Sequence, residues 1–377
     1  MREGESAMKR MLGWFKRQAV LTAAWVLALA SMALVPPDRD YAGYVDWRTL
    51  ELLFCLMAVM AGARRMGLFR RMGEALLSRA ADQRQLEGVL VLLCFCSSMV
   101  ITNDVALITF VPFAGEVLEL AGRQRRLVPL VAAQTIAANL GSMLSPIGNP
   151  QNLYLYSWAG VSAGAVTEVM LPYGALSALG LTVLVLSAGR APLSVPAAPA
   201  EPLPRRSLAL HGGLFLLCLL AVARVLPAAL LTAVVLAALL LWDRPALRQV
   251  DYGLLLTFAG FFLFVGNMGR LPVLREALSG VLSGHEVVTA VAASQVISNV
   301  PAALLLSGFT RNWQALLVGT NLGGLGTLIA SMASLISYQY VAARAPEQKG
   351  RYLLYFTGLN AAFLAALLAE WALLGGI

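Results

Sequence analysis

The chain alternates long apolar runs with short polar joints. A bilayer core about 30 Å thick takes roughly 20 helical residues to cross. Runs able to do so lie at 19–35, 46–62, 127–160, 169–187, 208–224, 227–242, 251–267, 313–343 and 352–374. Two further apolar stretches, 86–119 and 286–310, are split near their middles by polar residues, a pattern that predicts re-entrant hairpins. Residues 66–80 read as an amphipathic helix lying in the membrane interface, with arginines on its wet face. Residues 190–206, rich in proline and alanine, read as a cytoplasmic linker between two halves. The first run follows a basic tail; with so many spans behind it, an uncleaved signal anchor is expected rather than a signal peptide.

Composition agrees with a surface that meets lipid. Hydrophobic residues make up 59% of the chain and charged residues 13%, where a soluble domain carries about 25% charged residues. A soluble enzyme, a nucleic-acid reader and a disordered scaffold are excluded on that ground. The net charge of +8 follows from topology. Lys and Arg gather in cytoplasmic loops, and a cytoplasmic N-terminus with nine crossings puts 22 of the 28 basic residues inside. The C-terminus then lies in the periplasm. Arg79 and Arg84 precede the first split stretch and Arg123, Arg125 and Arg126 follow it, so both of its ends sit inside. The four cysteines lie in apolar runs and read as packing residues. His211 and His285 are far apart and offer no metal cluster.

The halves of the chain repeat each other. Val45-Asp46-Trp47 matches Val250-Asp251-Tyr252 at an offset of 205, and Ile101-Thr102-Asn103 matches Ile297-Ser298-Asn299 at 196. Residues 139–147 (NLGSMLSPI) match residues 321–329 (NLGGLGTLI) at 182. The span at 46–62 runs outside to inside and its twin at 251–267 the other way, so the repeats are inverted. Inverted repeats with interrupted helices are the architecture of secondary transporters, which bind substrate near the membrane midplane.

Irregular backbone survives at membrane depth only where protein buries it or water reaches it. Four such places are expected: the hairpin tips at 102–104 and 298–301, and the helix breaks at 141–152 and 323–327. Freed carbonyls and hydroxyls there suit a hard cation, and exposed helix N-termini suit an anion. Asp104 is the one acidic residue expected at a tip, and its twin is Val300. It is read as a Na⁺ ligand, a proton carrier or a cap of the following helix. The competing reading of each polar residue is helix-to-helix adhesion. No arginine falls at a tip or break, so dipoles and amides are expected to hold any anion.

At these positions the chain resembles the ion transporter superfamily: TNDVAL at 102–107, SPIGNPQN at 145–152, SQVISNVP at 294–301 and NLGGLGTL at 321–328. The group contains citrate-transporter-like proteins, divalent anion:sodium symporters, arsenite permeases and a sodium:proton antiporter branch. The likeness is strongest to its short bacterial inner-membrane permeases. The resemblance implies an all-α membrane protein: an elevator-type inverted-repeat transporter with two re-entrant hairpins and two broken helices, working as a homodimer. Residues 1–45 form a tail and first span. Residues 46–189 form one repeat (hairpin 86–119, broken helix 127–160). After the linker, 207–345 holds the inverted repeat from 250 (hairpin 286–310, broken helix 313–343), and 346–377 is a final span.

In the divalent anion branch each tip reads Ser-Asn-Thr. Here the tips become Thr102-Asn103-Asp104 and Ser298-Asn299-Val300, departing at the third position in both. The expected coupling-ion ligands are Thr102, Asn103, Asp104, Ser145, Gly148, Ser298, Asn299, Gly326 and Thr327. Asn103, Asn149, Asn152, Asn299 and Thr327 are the expected substrate contacts. The expected function is transport of a small carboxylate or inorganic oxyanion across the bacterial inner membrane, coupled to Na⁺ or H⁺. Cation:proton antiport and arsenite efflux are alternatives on the same fold. No enzymatic activity, no cofactor besides the coupling ion and no nucleic-acid partner are expected; membrane lipids surround the chain.

Overall fold

A computed structural model describes residues 19–77, 80–192 and 203–375. The basic N-terminal tail and most of the 190–206 linker lie outside the described residues. The described chain is helical, with an isolated β-bridge between Asp82 and Pro192. Its first half comprises α1 (Ala19–Leu34), α2 (Trp47–Arg65), α3 (Leu68–Leu77), α4 (Gln83–Ile101), α5 (Asn103–Leu120), α6 (Leu127–Ser142), α7 (Pro150–Ala159) and α8 (Ala163–Leu186). The second comprises α9 (Arg205–Val222), α10 (Ala228–Trp242), α11 (Tyr252–Gly269), α12 (Pro272–Leu282), α13 (Glu286–Ile297), α14 (Asn299–Leu306), α15 (Trp313–Leu322), α16 (Met332–Arg344) and α17 (Lys349–Leu373).

Helices α4, α8, α9, α11 and α17 are each long and apolar enough to cross a membrane, and α2 with α3 forms a further candidate bent by 57°. The long runs at 127–160 and 313–343 are each divided into two helices, α6 with α7 and α15 with α16, separated by the expected breaks. The two split stretches are helical hairpins, α4–α5 and α13–α14, each turning at a single residue. The amphipathic segment at 66–80 is α3. A second amphipathic helix that the sequence reading did not separate, α12, occupies the matching place in the other half. Asp46 and Asp251, the first matched pair, do the same job: each side chain accepts the backbone N–H three residues on and starts its helix.

Two packing groups follow. In the first, α2 packs on α9 and α10, and α11 packs on α1. In the second, each hairpin packs on the first segment of its own broken helix, α4–α5 on α6 and α13–α14 on α15. The second segments cross over: α16 packs on α5 and α6, and α7 on α14 and α15. Large apolar side chains on α8, α10 and α17 point away from the protein, as lipid contact requires. Charged contacts sort to opposite ends of the helices. Arg65 with Asp243, Arg126 with Glu87 and Arg344 with Glu119 lie at one end, and Arg270 with Asp38 at the other. Arg270 holds the Asp38 carboxyl, in the loop after α1, below its ordinary range by hydrogen bonding to it.

Glycine permits the closest approach inside the second group. A Cβ at Gly141 would sit 2.0 Å from the Phe95 carbonyl oxygen and 2.6 Å from Ser98 Oγ. Its mate Gly323 would meet Ser294 Oγ at 2.7 Å, and Ser294 is the mate of Ser98 at the hairpin offset of 196. Gly141→Ala and Gly323→Ala should each cost about 1–3 kcal/mol, the usual penalty of overpacking. Gly213→Ala, where a Cβ meets nothing within 4 Å, should not destabilise. Thermal unfolding in detergent checks this: a melting temperature in either of the first two variants equal to wild type refutes the close approach.

Candidate functional site

The hairpins turn on strained residues. Thr102 has φ 70° and ψ 149°, and Ser298 has φ 74° and ψ 155°. Side chains avoid this region, and holding one there costs on the order of 1–3 kcal/mol. The same strain falls at the same place in both repeats, which makes the tips candidates for the site. One residue ends the incoming helix and starts the outgoing one, so each asparagine that follows presents its N–H sideways. Asn103 N donates to Gly148 O and Asn299 N to Ala330 O, both at 3.0 Å. Gly148 and Ala330 are mates at the offset of 182. Each asparagine oxygen then accepts the next backbone amide, from Asp104 at 3.0 Å and from Val300 at 2.9 Å.

Between the breaks the repeats exchange hydrogen bonds. Asn139 on α6 accepts from Ser331 Oγ at 3.1 Å and donates to Ser334 Oγ at 3.3 Å. Asn321 on α15 accepts from Asn149 Nδ2 at 3.0 Å and donates to Asn152 Oδ1 at 2.7 Å. All three pairs of mates (139 with 321, 149 with 331, 152 with 334) are 182 apart. Asn103 Nδ2 joins the cluster by donating to Asn139 Oδ1 at 3.0 Å. Through it the first tip meets both breaks in one buried polar knot, while the second tip holds to its own break through the Ala330 carbonyl.

The freed carbonyls of the breaks are occupied by side-chain amides. Asn152 Nδ2 points at the carbonyls of Ser142, Met143 and Ser145, at 3.4, 3.2 and 3.1 Å. Gln295 Nε2 donates to those of Gly323 and Leu325, both at 2.9 Å. The expected ligands Ser145 and Thr327 use their hydroxyls on the hairpins, donating to Met99 O and Gln295 O, another matched pair. Gly326 takes φ 106° against the Gln295 side chain, where a Cβ would sit 2.4 Å from Oε1. Gly148 lies against the Ser142 carbonyl, 2.0 Å from its would-be Cβ. These residues therefore shape the breaks, and their polar atoms are engaged.

Two cavities adjoin the tips, where the packing groups face each other. One of about 380 Å³ is lined by Thr102, Asp104 and Asn149 with Arg64, Gln249 and Asp251. Another of about 270 Å³ is lined by Ser298, Val300, Thr257 and, again, Asp251. A larger groove between α2, α3, α4 and α9 is lined almost wholly by apolar side chains and cannot replace the hydration of an ion.

The expectation that no fixed cation faces the site needs correction. Arg64 lines the first cavity; Nη2 donates to Gln249 Oε1 at 2.8 Å, and no ion pair engages it among the described residues. In the sequence it looks like half of an ordinary Arg64-Arg65 membrane-edge pair. Asp251, Gln295, Asn139 and Asn321 were also missed as site residues, although each lies in or beside a repeated motif. Among the described residues, no cluster of His, Cys, Asp and Glu could hold a metal ion.

Residues 11–317 match the family model described as "Citrate transporter". The chain is 32% identical over 307 residues to an inner membrane protein, YbiR, of Escherichia coli (strain K12), covering 79% of this chain and 81% of the relative. It is 30% identical over 314 residues to the transporter MJ0456 of Methanocaldococcus jannaschii, covering 82% and 85%. The crystal structure of the Alcanivorax borkumensis YdaH transporter shares the fold, with TM-score 0.56 at 18% identity over 89% of this chain and 88% of that one. With the family model spanning most of the sequence and YbiR and MJ0456 aligned over most of theirs, the chain is a member of the citrate transporter family, and a membrane transporter rather than an enzyme.

Proposed function

We propose that this transporter is a secondary active carrier of a small carboxylate or oxyanion in the bacterial inner membrane, coupled to a proton. The observation that carries the reading is the paired strained tips, Thr102 and Ser298, beside cavities that hold one arginine and two carboxylates. Arg64 offers spare N–H donors in a fork suited to a carboxylate, and the N-terminus of α5 adds positive potential beside it. Asp104 is the protonatable group that the first hairpin brings to the same cavity. The amides of Asn152 and Gln295 stand where a sodium ion would need carbonyl oxygens, which favours the proton over Na⁺ in this conformation. The citrate in the family's description places carboxylates first among the anions to test. The homodimer, the elevator movement and the cytoplasmic N-terminus belong to this proposal.

One observation favours the second reading. Asp104 and Asp251 outnumber Arg64 in the cavity, as cation:proton antiport would require. Proteoliposomes separate the two. Anion transport predicts labelled citrate accumulating under an inward proton gradient and indifferent to sodium. Antiport predicts cation movement with no added anion, and finding that alone overturns the first reading.

Under a proton gradient, Asp104→Asn should lower concentrative uptake at least tenfold and flatten its pH dependence, while exchange of internal for external anion persists. An unaltered pH profile would reduce Asp104 to a helix cap. Arg64→Ala should raise KM about tenfold, roughly 1.4 kcal/mol, with Arg64→Lys intermediate. Asn103→Ala and Asn299→Ala should each abolish uptake while expression and dimerisation survive; near-normal uptake in either removes the tips from the site.

A further inference from the structure

At the helix ends opposite Arg64, the two packing groups are tied together. Helix α7 stops at Ala159, and Gly160 after it is left-handed, with φ 69°. Its last carbonyls carry the partial negative charge of a helix C-terminus. Arg224, in the turn between α9 and α10, donates from Nη1 to Gly160 O at 2.7 Å and from Nη2 to Tyr156 O at 3.4 Å. Arg48, in the first turn of α2, donates to Ser157 Oγ at 3.2 Å and Ala221 O at 3.1 Å. Both guanidinium groups lie on the Tyr156 ring, 5.1 Å and 6.0 Å from its centroid, and the Tyr156 hydroxyl donates to Val222 O. Arg224 itself has φ 63°. That left-handed conformation is unfavourable for a residue with a Cβ, and the Arg224 side chain meets the end of α7 from it.

These bonds differ in kind from the ring contact that α7 makes with α11 of the first group. Midway along the helix, the Tyr154 ring meets Phe258 and Phe262 of α11 at centroid distances of 6.2 and 5.6 Å. Ring-on-ring contact tolerates a broad range of offsets, where a charge-assisted hydrogen bond does not. Guanidinium-to-carbonyl bonds are directional and must break for the groups to shift. At the other end of α2, the cavity lined by Arg64 and Asp251 separates the same two groups. The described conformation is thus bolted at the Arg48 end and open at the Arg64 end. The first turn of α7 carries Asn149 and Asn152 of the polar knot, so whatever moves the end of α7 moves the site.

We propose that Arg48 and Arg224 form a latch on the last turn of α7 that holds the transporter open toward the Arg64 face. Its release is the step that lets the opposite face reach the cavities. The proposal needs alternating access but neither the identity of the substrate nor the coupling ion.

Cysteine labelling tests it without a ligand. Ile329, 61% exposed and lining the cavity beside Ser298, becomes the reporter as Ile329→Cys in a Cys96→Ser background, since Cys96 is the exposed native cysteine. A membrane-impermeant maleimide is applied to each face, in cells and in inverted membrane vesicles. With the latch intact, labelling should come from the Arg64 face. Arg48→Ala with Arg224→Ala should raise labelling from the Arg48 face at least fivefold and lower it from the Arg64 face. Loosened packing alone would not produce these opposite changes. Arg48→Lys with Arg224→Lys, which keeps the charges, should lie between. Unchanged rates on both faces in a folded double-alanine variant overturn the latch. If that variant does not fold, Tyr156→Phe, which loses only the bond to Val222 O, should still raise Arg48-face labelling about twofold, and no rise overturns it.

Discussion

Two asparagines, Asn139 and Asn321, reach across the boundary between the inverted repeats, and each binds the start of the other repeat's second helix segment. A helix interrupted inside a bilayer must find partners for its freed amides and carbonyls within the protein. Each break fills its freed carbonyls from its own repeat, through Asn152 and Gln295. The polar side chains that start its second segment, however, are bound by the other half, so neither repeat's polar centre is finished until both are assembled. Neutral buried hydrogen bonds of this kind contribute on the order of 1 kcal/mol each. Leaving one unmade at this depth costs more, because no water can replace it.

The frame was legible in the sequence because hydropathy and repetition are one-dimensional signals. The apolar runs, the split stretches and the three offsets locate the helical hairpins and breaks to within a few residues of their bounds. Five helices and one bent pair among the described residues are long and apolar enough to cross a membrane, against the nine crossings expected. The tips were legible too, since Asn103 and Asn299 sit where polarity interrupts apolar runs. The partners were not. That Asn152 and Gln295 turn their amides into the breaks depends on which carbonyls the fold brings near, and the hairpin mate of Gln295 is Met99, which carries no amide. Arg64 was hidden for a different reason. The charge rule for membrane edges explains an Arg-Arg pair so well that it conceals the member lining a cavity. The strain at Thr102 and Ser298 has no compositional sign at all, because glycine, the residue that would announce it, is absent from both tips.

Symmetry of backbone with asymmetry of side chains is the recurring theme of the site. Asp104 faces its cavity while its mate Val300 lines the other. Arg64 has Gly269 for a mate at the first offset of 205. One break takes its amide from Asn152 within the same repeat's helix, and the other takes it from a hairpin residue, Gln295. On the proposed alternating-access reading, inverted backbones supply two conformations related by exchange of faces, and a charge carried by one repeat alone makes them unequal in energy. That inequality sets their populations, while the gradients set the direction of transport.

That inequality bears on how the two packing groups would move under the proposed latch. The contact along the middle of α7 is aromatic and apolar, the kind of surface over which helices shift without breaking specific bonds. Directional bonds gather instead at the end of α7, where two guanidinium groups hold a helix C-terminus. A ligand shifts such an equilibrium only by its difference in affinity for the two conformations. An anion engaged by Arg64 and the α5 N-terminus interacts at the open end, away from the bolted one. It therefore does not touch the latch directly, and two rigid elements lead to it: α2, which carries both Arg64 and Arg48, and α7, which joins Asn149 and Asn152 to Tyr156 and Gly160. At about 1.5 Å of rise per residue, the second path is the ten residues of α7, roughly 15 Å. Under the proposed latch, a displacement of its first turn at the polar knot would be carried along the helix to its last.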